Sequence, residues 1–155
     1  MLETPHVAVG IAIASKIPNP WLAIPLSLAS HFILDKVPHW NPHLYTETQK
    51  LGRPSKRSTT LAIIDISAAF ILGSAFAIKA LPNWQMAVLI LSASFASVAS
   101  DVIKYPYYYF PNFRPKWLVG WVKFERSMQV DAKSPFWGLL TQVLVIFAAL
   151  YTLSF

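Results

Sequence analysis

Two apolar runs limit the fold more than anything else in this chain. They are residues 60–81 and 85–103, and only Pro82, Asn83 and Trp84 separate them. The first carries Asp65 and Lys79 as its only charges and has about the 20 residues a helix needs to cross a bilayer. Proline and asparagine end one helix and turn the chain, so the second run returns beside the first as a helical hairpin, with Asp101 near its far end.

The remaining sequence is read around that hairpin. Residues 6–17 are apolar with small side chains, too short to span, and suited to a tilted or half-embedded helix packed through Gly10 and its alanines. Thr4 is a candidate N-cap and Pro5 suits a first helical turn. No Lys or Arg precedes this run, so it lacks the charged start of a signal peptide and is read as part of the mature fold. Residues 21–37 form a second apolar helix, with Pro25 in its first turns, and residues 135–155 a last one. Residues 38–58 read as a polar loop in which His39 and His43 are exposed. In residues 116–124, Trp117, Leu118, Trp121, Val122 and Phe124 share a face, with Lys116 and Lys123 off it, which describes a helix lying in a membrane interface. Apolar residues are 55% of the chain and charged ones 13%, about half the usual soluble share. The expectation is a single all-α domain over residues 1–155. It is an integral membrane helical bundle of four to five membrane segments plus one interfacial amphipathic helix, with the lipid bilayer as its first partner.

Charge sets the orientation. The formal charge is +6, and eleven of the thirteen Lys and Arg residues fall in residues 36–57 and 104–133. One hairpin separates those segments, so they share a side, which the positive-inside rule makes cytoplasmic. The N-terminus joins them there. Anionic lipid headgroups are the natural partner of this charge, and no nucleic-acid motif accompanies it.

This topology brings the buried polar residues to one depth. His6 opens the first segment, His31 and Asp35 close the second one helical turn apart, Asp65 lies early in the third, and Asp101 ends the fourth. An unpaired carboxylate in hydrocarbon costs about 3 kcal/mol on insertion scales, so these acids need compensation. A divalent cation held by imidazole and carboxylate would supply it, and with no cysteine in the chain its ligands must be nitrogen and oxygen. The alternative is a set of carboxylates that stay hydrated or bond to Ser30, Ser67, Ser97 and Ser100. Lys36 and Lys104 could also reach that depth by snorkelling.

Thr4-Pro5-His6, together with Ser30-His31-Phe32-Ile33-Leu34-Asp35 and Pro38-His39-Trp40, resembles the YdjM-like small inner-membrane proteins, described as membrane-bound metal-dependent hydrolases. More distantly, the same arrangement is similar to zinc-dependent phospholipases C. The His-Arg-x-x-Thr-His-Ser motif of many members is absent, and residues 124–129 contain no histidine. The resemblance implies hydrolysis of a phosphoester or lipid-linked substrate at the cytoplasmic face of the inner membrane. The cofactor is a divalent ion, zinc first, with manganese or magnesium as alternatives. His6, His31, Asp35, Asp65 and Asp101 are the candidate ligands. Asp35 and Asp65 are the candidate catalytic carboxylates, and Lys36, Lys104 and Arg114 are candidates to meet the anionic substrate. The competing expectation is a non-enzymatic membrane protein whose structural metal or carboxylate cluster docks a lipid or a protein. Ion transport is a third.

Overall fold

The computed structural model describes the backbone of residues 1–154 and the side chains of residues 1–153. The described residues form α-helices without strands: α1 (Glu3–Lys16), α2 (Pro20–Leu34), α3 (Leu44–Leu51), α4 (Lys56–Lys79), α5 (Trp84–Tyr109), α6 (Lys116–Met128) and α7 (Pro135–Tyr151).

The short first helix is the hub. α1 packs against α2, α4, α5 and α7, and its closest partner is α5. Its side chains explain why: Ala8, Ile11 and Ala14 are fully buried, and small residues let helix backbones approach closely. Gly10 makes the tightest approach, since a Cβ there would lie 2.8 Å from the Ala93 carbonyl oxygen and 3.0 Å from Ser97 Oγ. Val7 and Ile11 then meet Ala69 of α4 and Leu89, Ile90 and Ala93 of α5 in one apolar cluster.

Among the described residues, α4 and α5 are the two helices long and apolar enough to cross a membrane. Only 28% and 44% of their most apolar windows are buried inside the protein, so neither is a core helix wrapped by others. Ile63, Ile64, Phe70, Ile71 and Ile78 of α4 are all more than half exposed. The outward faces of α2 and α7 continue this apolar belt through Trp21, Ile33, Phe136, Leu144 and Phe147.

At one end of the bundle the structure departs from the sequence reading. The presumed loop 38–58 contains α3, ended by Gly52 in the left-handed region (φ 78°). Its Leu44 and Tyr45 join a second cluster with Tyr107, Tyr108, Leu118 and Val122. That cluster also explains why α5 runs six residues past the expected end at 103, through Pro106 to Tyr109: its last turns are held by side-chain packing. His39, expected in solvent, is buried, while His43 is exposed. His39 pairs its backbone N–H with the Val130 carbonyl, and Ala132 returns an N–H to the His39 carbonyl, so the segment after α2 is pinned to the segment after α6. Gln142 of α7 closes the same end: it accepts from the Leu2 N–H and donates to the Trp40 carbonyl.

Candidate metal centre

Four helices carry ionisable side chains into one buried layer beneath α3 and α6. α1 contributes His6, which its tight packing on α5 leaves fully buried. α2 contributes His31, with Asp35 one turn later as its C-cap. α5 contributes Asp101 and Lys104, and α6 contributes Glu125.

The two imidazoles stack, with ring centroids 4.3 Å apart. His31 Nδ1 lies 2.9 Å from the Ser97 carbonyl oxygen. A carbonyl only accepts, so Nδ1 carries the proton and the Nε2 lone pair faces the cluster. Among the described residues, that Nε2 has no hydrogen-bond donor, and neither ring nitrogen of His6 has a hydrogen-bond partner. Around His31 Nε2 lie Asp35 at 3.6 Å, Glu125 at 3.7 Å and Asp101 at 3.9 Å. His6 Nε2 lies 3.4 Å from the other oxygen of Asp35. One donor atom each from His6, His31 and Asp101 fall within 4.8 Å of one another, a spacing that could hold a metal ion. An imidazole fixed by a backbone carbonyl on its far nitrogen is the usual outer support of a metal-bound histidine.

Each carboxylate has its own compensation. Asp35 sits at a helix C-terminus, where the dipole disfavours a negative charge. It is met by the Met1 nitrogen and by the Gln129 amide at 3.2 Å, with Nε2 of each imidazole beside it. Lys104 is buried and its ammonium contacts both Asp101 and Glu125. Ser100 donates its hydroxyl to Glu125. Burial pushes the Glu125 carboxyl up to about 7, against the lowering pull of Lys104. Burial also lowers His39, whose Nδ1 donates to the Val37 carbonyl at 2.7 Å and whose Nε2 lies 3.9 Å from Asp35. With the Met1 nitrogen included, the layer sets three carboxylates against two ammonium groups, with two imidazoles facing them.

Several expected site residues are placed elsewhere. Asp65 is not brought to the imidazoles. It caps α1, accepting from the Glu3 N–H at 2.5 Å, the Thr4 N–H at 3.3 Å and the Thr4 hydroxyl at 2.7 Å. α1 begins at Glu3 without a side-chain cap of its own, so a carboxylate from α4 takes the role expected of Thr4. Lys36 is exposed. Arg114 stacks on Tyr107 and donates to the carbonyls of Tyr107 and Gly52. Ser30, Ser67 and Ser97 bond back to carbonyls of their own helices, and of these four expected serines Ser100 serves a carboxylate.

Glu125 is the residue that sequence reasoning missed. Its signal was present: Leu118, Val122 and Glu125 follow the i, i+4, i+7 spacing of one helix face and are all buried. Residues 124–129 hold no histidine, and the carboxylate on the buried stripe is the group that reaches the layer. A cavity of about 230 Å³ reaches the layer at Asp101 and Lys104, with Trp40, Tyr45, Tyr105 and Tyr108 among its walls.

No family model, curated protein or solved structure matches the chain.

Proposed function

We propose that this chain is a multi-pass protein of the cytoplasmic membrane that binds one divalent cation in its buried His/Asp layer and hydrolyses a phosphoester or lipid-linked substrate there. The observation that carries the reading is the pair of stacked, fully buried imidazoles whose Nε2 atoms face carboxylates and have no proton donor. Buried polar atoms without partners are costly, and a cation satisfies both at once.

The apolar belt supports embedding α2 and α7 beside α4 and α5, which gives four membrane segments around a shorter α1. Lys and Arg partition to the α3 and α6 end, which supports placing that end and the N-terminus in the cytoplasm. His6, His31 and Asp101 would hold the ion. Two nitrogen donors with carboxylate favour zinc over manganese or magnesium. Bound there, the ion would supply an acidified water and polarise a substrate oxygen. Asp35, whose oxygens lie 3.4 and 3.6 Å from the two Nε2 atoms, is the carboxylate that would accept a proton. Asp65 is spent on α1. The cavity above Asp101 admits the substrate, and the resemblance of the His6 and His31–Asp35 segments to YdjM-like hydrolases points the same way.

One contact favours the second reading, a non-enzymatic protein with a carboxylate cluster: Lys104 already neutralises part of the acid pair. Metal analysis separates the two. Purified protein reconstituted with zinc should retain one equivalent per chain, His31→Ala should lose it while keeping its helical circular dichroism, and the loaded protein should cleave a chromogenic phosphodiester. A wild-type chain that retains no metal overturns the cation. Retained metal without cleavage, together with unfolding on chelation, selects a structural role.

A further inference from the structure

α6 carries three parallel stripes, each with its own environment. Leu118, Val122 and Glu125 face inward and are buried. Trp117, Trp121 and Phe124 form the flank beside them, with Trp117 61% and Phe124 48% exposed. Lys116, Gly120 and Lys123 lie opposite the buried stripe, all exposed.

The aromatic flank has a fixed direction. Trp121 and Phe124 pack on Phe32 of α2, with centroids 6.3 and 6.2 Å apart. The next residue of α2, Ile33, is 68% exposed and belongs to the apolar belt. The flank is therefore continuous with the belt, and the lysines point away from the protein at the belt's margin. An aromatic edge at the hydrocarbon boundary with lysines beyond it matches the depth profile of an anionic leaflet.

We infer that the outward face of α6 docks on anionic lipid headgroups and that this docking holds Glu125 in the metal layer. The link is the rigidity of one helix. Glu125 lies 3.7 Å from His31 Nε2 and contacts Lys104 and Ser100, so any swing of α6 withdraws a carboxylate from the layer. Inside the protein α6 is held by α5, by Phe32 of α2 and by Leu44 and Tyr45 of α3, while its lysine face is left open, and the leaflet would support that remaining face. The inference rests on the bilayer placement above.

The test compares the full chain in nanodiscs of phosphatidylcholine alone with discs doped with phosphatidylglycerol. Amide exchange across residues 116–128 should slow about thirtyfold with the anionic lipid, the scale expected of two surface lysines. The Lys116→Gln/Lys123→Gln variant should lose that contrast and leave exchange in α5 unchanged. In the anionic discs the variant should also bind Co²⁺ several-fold more weakly than the wild type. Removing two positive charges would by itself attract cations, so the expected sign opposes simple surface electrostatics. Equal exchange in both lipids overturns the docking, as does slowing produced instead by a single-stranded oligonucleotide in neutral discs. Equal Co²⁺ affinity of variant and wild type overturns the link to Glu125. Absence of Co²⁺ binding in every disc sinks the proposed metal function, and the exchange contrast still decides the docking.

Discussion

Along α1 the two ends are held by different physics. Its first turn is surrounded by charge: Asp65 accepts its N–H groups, Tyr105 donates to Glu3 at 2.9 Å, and His6 stacks on His31. Its later turns pack into an apolar cluster with Ala23, Ala69, Leu89, Ile90 and Ala93 among its members. The polar end gains specificity from pairing and is unforgiving, because removing one partner strands the rest in low dielectric. The apolar end gains stability from close approach and responds to volume alone. One helix thus joins a layer of chemistry to a packed scaffold, and a substitution at each end should fail for its own reason.

The sharpest break is Lys104→Met. It leaves Asp101 and Glu125 buried without their cation and should cost about 3–5 kcal/mol in unfolding measured in micelles. Saturating zinc should recover part of that loss, and an equal loss with and without zinc would separate Lys104 from the proposed metal site. At the apolar end, Gly10→Ala should cost about 1–3 kcal/mol, because the new methyl meets a backbone carbonyl that cannot move aside. Gly73→Ala is its control. A Cβ there lies 3.4 Å or more from its neighbours, so better helix propensity should leave stability unchanged or raised by up to about 1 kcal/mol.

Asp65→Ala tests whether this carboxylate belongs to the scaffold or to the metal. Loss of the cap should cost about 1 kcal/mol, with Co²⁺ affinity unchanged. The smallest effect lies outside the bundle. Partial burial raises the Glu47 carboxyl, but the Ser55 N–H and the Ser55 and Ser58 hydroxyls outweigh it and hold the group below its ordinary value of 4.5. The stabilisation is therefore complete above that value and is lost as pH falls through the lower folded value. A Glu47→Gln variant should erase that part of the acid dependence, read from melting temperature against pH.

Much of the scaffold was legible before any coordinates. A long apolar pair with a proline turn dictates a hairpin, because its backbone polar groups must be satisfied within each helix. The i, i+4 spacing of His31 and Asp35 places both on one face whatever surrounds them. α3 was not legible: a run of eight mostly polar residues is too short to hold a helix by itself, and it is held by contacts with Tyr107 and the second cluster. His39 was misplaced because its burial comes from a backbone pairing with residues 130–132, more than ninety positions away.

The residue types and their depth were thus written in the chain. Helix length, hydropathy and the Lys/Arg partition depend on local chemistry, and they brought imidazoles and acids to one level. Which acid joined the imidazoles was decided in three dimensions. Asp65 and Glu125 are both carboxylates at that level, but α4 turns Asp65 toward the open N–H groups of α1, while the buried stripe of α6 turns Glu125 toward His31. Rotation of a helix about its axis depends on the neighbours it packs against, and those neighbours exist only once the bundle has closed.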